Sequence, residues 1–159
     1  MKIILIGKTG QLGRELDNLL RKKDFETFSF SHKELDISDQ DKIKRAIKKI
    51  KPKFVINASA YHQVFECEEF PEKAFNINAV SLKNLAEQCE SLGSILVHYS
   101  TDYVFDGTKG APYIEEDIPS PLQIYGISKY AGEQITLKYC PSAIIIRTCG
   151  IFGGKTGSR

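Results

Sequence analysis

The chain has 159 residues, 42% of them hydrophobic, and a formal net charge of +2. That length suits a single domain with a core of its own, and the near-balanced charge, with lysines scattered over helical stretches, excludes a nucleic-acid-binding face. No apolar run approaches the roughly 18 residues of a membrane span, and Met1 to Ile6 leads into a glycine turn rather than a signal-peptide cleavage site, so a cytoplasmic protein is expected.

Lys2 to Ile6 is a short apolar run that predicts a buried parallel strand. Gly7-Lys-Thr-Gly10-Gln-Leu-Gly13 follows, and Leu12, Leu16, Leu19 and Leu20 then recur at helical spacing. The glycines therefore fall on a strand-to-helix turn. There a backbone without Cβ lets a phosphate approach, and the helix start offers N–H donors and a positive dipole end. Gly7, Gly10, Gln11, Leu12 and Gly13 are the predicted pyrophosphate-binding residues. Their Gly-x-x-Gly-x-x-Gly spacing departs from the usual Gly-x-Gly-x-x-Gly fingerprint. A nucleoside-triphosphate loop is excluded, because Gly7-Lys8-Thr9 and Gly154-Lys155-Thr156 would need glycines where Lys2 and Cys149 stand.

Glu26 to Phe30 predicts a second strand. Ser31, His32 and Lys33 follow where an NAD site usually places a carboxylate. Polar and cationic groups there favour a 2′-phosphate, so NADPH is the expected cofactor, with NADH as the alternative. Leu35-Asp36-Ile37-Ser38 leads into a helix with Ile43, Ile47 and Ile50 on one side, Ser38 as N-cap and Pro52 as its stop. Phe54 to Asn57 is the third strand. Small residues from Ala58 to Ala60 then allow a cofactor to lie against the strand end. Glu66, Glu68 and Glu69 read as an acidic loop with a solvated face.

Pro71 starts a long helix that Gly93 ends; Asn78 lies among its apolar residues and is expected to tie down an adjacent strand. Ile95 to His98 is the fourth strand, and a loop with Gly107, Gly110 and Pro112 spans to Pro121. Ser120-Pro121 is expected to open a helix carrying Tyr125 and Lys129, whose spacing puts them on one face. Ala143 to Ile146 is a last strand, and Gly150 to Gly154 and Lys155 to Arg159 read as loops. Strands alternating with helices predict an α/β fold, a doubly wound parallel sheet with helices on both faces, that is an NAD(P)-binding Rossmann fold.

A hydroxyl at Thr101, with a phenol and an ammonium one helical turn apart, is equipment for carbonyl reduction beside a hydride donor. The ammonium is expected to lower the phenol's pKa, the phenol to give a proton and the hydroxyl to hold the oxygen. Cys67, Cys89, Cys140 and Cys149 are never spaced as Cys-x-x-Cys and predict reduced thiols. His32, His62 and His98 have no metal-ligand spacing, so no metal site is expected.

With Gly7–Gly13, Ser100–Phe105 (Ser-Thr-Asp-Tyr-Val-Phe) and Tyr125–Lys129 (Tyr-Gly-Ile-Ser-Lys) in order, the whole chain resembles the extended short-chain dehydrogenase/reductase family. Within it the chain is most similar to the dTDP-4-dehydrorhamnose reductase branch. Leu35–Ile37 and Pro121–Gly126 add to the likeness. The resemblance implies NAD(P)H-dependent reduction of the 4-keto group of dTDP-4-dehydro-L-rhamnose, a sugar nucleotide, to dTDP-L-rhamnose. It implies Tyr125 as proton donor, Lys129 as pKa modulator and ribose ligand, and Thr101 on the keto oxygen, with Ser100 as the rival hydroxyl. It further implies Asp36 and Ile37 by the adenine, Ala60, Tyr61 and His62 along the cofactor, and Asp102 near the substrate. Gly150 stands where rhamnose enzymes often carry an aromatic residue, which leaves the sugar open. Relatives continue with a smaller substrate domain, so residues 1–159 are expected to be the dinucleotide-binding domain alone, with weak turnover. A homodimer is compatible with the sequence. The alternatives are a dinucleotide-binding regulatory module resembling the regulatory subunit of methionine adenosyltransferase, and a related epimerase or dehydratase.

Overall fold

The computed structural model describes residues 1–152. Strands β1 (Lys2–Ile6), β2 (Glu26–Phe30), β3 (Phe54–Asn57), β4 (Ile95–Thr101) and β5 (Ile144–Thr148) form a parallel sheet in the order β2-β1-β3-β4-β5. Helix α1 (Gln11–Lys22) joins β1 to β2, and α2 (Gln40–Ile50) crosses back to β3. A helical stretch of α3 (Val64–Glu69), α4 (Pro71–Phe75), a π-helical turn (Asn76–Val80) and α5 (Ser81–Ser91) leads to β4. A short 3₁₀ turn (Asp102–Val104) follows, then α6 (Ile124–Tyr139) and β5.

The order reverses at β1, so right-handed crossovers put α1 on one face and α2, α5 and α6 on the other. The packing agrees: α1 lies on β1 and β2, while α2 packs on α5 and α5 on α6. Ile4, Val55 and Leu96 stand side by side across the sheet and, with Ile43, Ile47, Leu82 and Leu85, are fully or almost fully buried. Each such side chain contributes about 1.5–3 kcal/mol by leaving water. The face of α1 is less covered. Leu19, expected on its apolar stripe, is 52% exposed, because α1 spans only β1 and β2.

Several boundaries differ from the sequence reading. Strand β4 runs to Thr101, three residues beyond His98, because Ser100 and Thr101 pair with Arg147 and Thr148 of a β5 that itself starts at Ile144. Asp39 rather than Ser38 caps α2, accepting from Lys42 N at 2.9 Å, while the Ser38 hydroxyl donates to Asp36 Oδ1. Glu66, Glu68 and Glu69 lie on a helix, not a loop. Glu68 Oε1 accepts from Ile124 N at 2.7 Å, so α6 starts there and not at Ser120-Pro121. The helix from Pro71 is interrupted by the π turn, a feature that no residue spacing announces. The loop expected from Gly150 onward lies, past Phe152, outside the described residues.

The π turn fixes the neighbourhood of the strand ends. Asn78, buried in that turn, accepts from Tyr61 N at 2.8 Å and donates to Tyr61 O at 2.9 Å and to Ser128 Oγ at 3.0 Å. It therefore binds the loop after β3 to α6, rather than a strand as expected.

Candidate active site

A cleft of about 840 Å³ opens outside the carboxyl ends of β1, β3 and β4, at the point where the strand order reverses. Open α/β sheets bind ligands at such a point. Its floor begins at Gly7, whose φ of +92° carries the chain out of β1; Gly7 N and Lys8 N both donate to Phe30 O. Helix α1 starts at Gly10 with no side-chain cap, so a turn of backbone N–H donors without intrahelical acceptors meets the cleft. The three glycines differ in what they do. A Cβ on Gly13 would come within 2.0 Å of Gly7 O and one on Gly7 within 2.9 Å of the Ala58 backbone, so both serve close packing. A Cβ on Gly10 would meet nothing nearer than 3.5 Å and would project into otherwise open space. That room suits a diphosphate.

The cleft brings together most of the residues singled out in the sequence. Gly7, Gly10, Gln11 and Leu12 line one end, with His32, Asp36 and Ile37 beside them. Ala58, Ala60, Tyr61 and His62 form a wall, and Thr101, Asp102, Tyr125 and Lys129 the other end. Gly13 and Ser31 are not among the lining residues: Gly13 sits under the turn, and Ser31 is occupied by a carboxylate. That carboxylate is Glu34, which the sequence reading passed over when it found no acid at the end of β2. It accepts from Ser31 N and Oγ, each at 2.7 Å, and pairs with Lys8 Nζ at 2.8 Å. The Lys8 ammonium and the Ser31 N–H pull its carboxyl down to about 2. Arg14 also lines the cleft and was missed; its place next to Gly13 in the first turn of α1 was the available signal. At this end the cleft thus offers Arg14 and a His32 that stands 3.5 Å from Asp36 Oδ2, while Glu34 is paired with Lys8.

At the other end, Thr101 Oγ1 donates to Asp102 Oδ1 at 3.0 Å and accepts from Tyr103 N. The Tyr103 ring meets the Tyr125 ring edge-on at 5.7 Å. Burial pushes the Tyr125 phenol above its usual value; the Thr101 hydroxyl works the other way and does not prevail. This reverses the expected direction. The physical reason is the burial of the phenol; Lys129 Nζ donates to Tyr99 O at 2.5 Å and lies 3.2 Å from His98 Nε2. Burial brings Lys129 down to about 8, against the opposing pull of Glu133. The Ser100 hydroxyl is buried and, among the described residues, has no hydrogen-bond partner, an acceptor and donor left for something bound in the cleft. The Tyr61 hydroxyl donates a hydrogen bond to Glu66 Oε2 at 2.6 Å, which pushes its phenol up to about 12 and marks it as a wall residue. Cys67, Cys89, Cys140 and Cys149 are free thiols, and Cys149 alone of the four is exposed.

His98 is fully buried, and burial, followed by the charge of Lys129, holds its proton affinity well below the usual histidine value. The unfolded chain takes up that proton near pH 6.5 while the folded chain does not. Stability is therefore present above about pH 6.5 and falls as the pH drops through it, by up to about 1.4 kcal/mol per pH unit. Urea unfolding midpoints at about pH 7.5, 6.5 and 5.5 check this; a flat series would contradict it.

Residues 1–158 match the family described as RmlD substrate binding domain. The chain is 37% identical over 159 residues to the dTDP-4-dehydrorhamnose reductase of Escherichia coli K12, covering 98% of this chain and 53% of that protein. The crystal structure of dTDP-4-dehydrorhamnose reductase from Bacillus anthracis in complex with NADP matches with a TM-score of 0.94 at 36% identity, over 99% of this chain and 56% of that one. A UDP-glucose 4-epimerase of Thermus thermophilus, in complex with NAD, matches with a TM-score of 0.84 at 23% identity, which concerns the fold alone. The chain spans about half the length of the curated relatives it matches.

Proposed function

The chain belongs to the RmlD substrate binding domain family, and from that membership and the geometry of the cleft we propose that it carries the dinucleotide-binding part of an NADPH-dependent reductase acting on the 4-keto group of dTDP-4-dehydro-L-rhamnose. The observation that supports this best is a single cleft holding the uncapped α1 start at one end and Thr101, Tyr125 and Lys129 at the other. Bound there, the dinucleotide supplies the hydride. Gly10, Gln11 and Leu12 hold its diphosphate, and Arg14 and His32 favour a 2′-phosphate over a bare ribose. Asp36 and Ile37 flank the adenine, and Ala58, Ala60, Tyr61 and His62 wall the cofactor.

In ketone reduction the carbonyl carbon gains a hydride and the oxygen gains a proton. The Tyr125 phenol is protonated at neutral pH and stands beside the Thr101 hydroxyl, placed to give that proton, although burial raises its proton affinity. Thr101 holds the keto oxygen, with Ser100 beside it, and Asp102 contacts the sugar. Lys129 binds the nicotinamide-side ribose. The relatives named as reductases and the NADP complex support the substrate and cofactor assignments.

The test mixes this chain with NADPH and dTDP-4-dehydro-L-rhamnose and follows the loss of reduced-nicotinamide absorbance. Slow turnover that the alcohol product matches mole for mole supports the proposal. Binding of NADPH with no turnover by this chain or by a full-length relative carrying the same site would favour a regulatory module instead. A second experiment isolates the diphosphate end. Gly10→Ala is expected to leave stability within about 1 kcal/mol, as for a helix-start Gly→Ala change into open space, and to weaken NADPH binding at least tenfold. Fluorescence titration with NADPH and urea unfolding read the two effects separately.

A further inference from the structure

Buried Asn57, His98 and Lys129, with half-buried Ser59 at one end, form a polar chain along the cleft whose hydrogens can be assigned by elimination. Asn57, His98 and Lys129 are each at most 2% exposed, and His98 and Lys129 are among the largest fully buried side chains. The chain begins at Ser59, whose backbone N–H and hydroxyl both point to one amide atom of Asn57, at 3.1 and 2.6 Å. A backbone N–H can only donate, so that atom is Oδ1 and the other is Nδ2. Nδ2 lies 3.0 Å from His98 Nδ1. An amide nitrogen can only donate, so Nδ1 carries the lone pair and a neutral His98 carries its hydrogen on Nε2. Nε2 faces Lys129 Nζ at 3.2 Å, and Nζ also reaches Tyr99 O at 2.5 Å.

Lysine as an ammonium has three donors and no acceptor. Opposite an Nε2–H it would make a donor-to-donor contact at an almost fully buried nitrogen. As an amine it offers a lone pair to Nε2–H, one N–H to Tyr99 O and a second N–H to the cleft. We propose that His98 is a positioning residue for the site lysine: locked by Asn57 as its Nε2–H tautomer, it donates to Lys129 Nζ and favours the neutral amine. This rests on the reading of Lys129 as a site residue, but its test reads protonation and not turnover.

Glu133, one turn along α6, is the anion whose pull on Lys129 is resolved, and it is already engaged by Arg147 of β5 through three contacts of 2.7–3.2 Å. Tyr125 precedes Lys129 by one turn of α6, and Asp102 and Tyr103 lie in the same cleft. Cys67 of α3 is buried next to Tyr125, with its thiol pushed up by burial and therefore neutral. Tyr99 contributes its carbonyl and a phenol also raised by burial. Burial is what brings Lys129 down to about 8, in the same direction in which a donor opposite Nζ would act.

Two measurements on the 159-residue chain decide it. Long-range proton–nitrogen NMR of histidine-labelled protein is expected to show the buried His98 neutral, with its hydrogen on Nε2. A hydrogen on Nδ1 would overturn the proposal without any variant. Titration of Lys129 followed at a labelled ε-carbon is expected to fall below the ordinary lysine value of about 10.4. Asn57→Asp keeps the Ser59 bonds but presents an acceptor to Nδ1. This flips the tautomer, turns Nε2 into an acceptor and raises the Lys129 pKa by about one unit or more, at least tenfold in proton affinity. An unchanged titration in folded Asn57→Asp would also overturn it. Failure of the reductase reading shows separately, as absent turnover with these titrations intact.

Discussion

Replacing Tyr125 by Phe is expected to lower ketone reduction by about 10²–10⁴-fold, the usual contribution of a positioned general acid, while NADPH binding is kept. The phenol stands in hydrogen-bonding reach of the Thr101 hydroxyl, and with its proton affinity raised by burial it holds its proton until the keto oxygen gains charge. Phe preserves the ring that packs edge-on against Tyr103, so α6 keeps its place. The backbone carbonyl of residue 125 still accepts from Ser128 Oγ, a bond that the side chain does not enter. Loss of rate with unchanged NADPH affinity, measured by stopped-flow absorbance and by fluorescence titration, assigns the proton to Tyr125. A rate within about twofold of the parent would move that role elsewhere, with Ser100, whose hydroxyl has no hydrogen-bond partner among the described residues, as the alternative.

Gly132→Ala is expected to destabilise the fold by about 2 kcal/mol, although alanine is the better helix former by about 1 kcal/mol. The added Cβ would stand 2.0 Å from Asn78 O and 2.8 Å from Leu82 Cδ1. The first of these is backbone, in the π turn, and cannot rotate away. Helix α6 must then part from the π turn and α5, and the bond from Asn78 Nδ2 to Ser128 Oγ stretches with it. Because α6 also carries Tyr125 and Lys129, the variant should lose activity beyond its loss of stability; a displacement near 1 Å can cost about 10²-fold. Urea unfolding monitored by circular dichroism reads the first effect. Unfolding at the parent midpoint would show that α6 and the π turn are not in the contact described.

What the sequence determined here is local. Alternation of apolar strands with 3.6-period helices identified the parallel sheet, and Gly7–Gly13 announced a strand-to-helix turn, because both depend on residues a few positions apart. The four-residue spacing of Tyr125 and Lys129 correctly placed them on one helix. It could not say where Lys129 Nζ goes, since His98 and the Tyr99 carbonyl lie about thirty residues away in the chain. The same holds for the cap of α6, which comes from Glu68 across 56 residues, and for Asn78, whose partners are Tyr61 and Ser128. Glu34 escaped notice because its carboxylate folds back on Ser31 and Lys8 instead of standing at the strand end. Element type follows from short-range sterics and periodic burial, which the sequence carries. The protonation and partners of buried polar groups follow from burial and from donors supplied by other elements, and only the packed sheet and helices decide those.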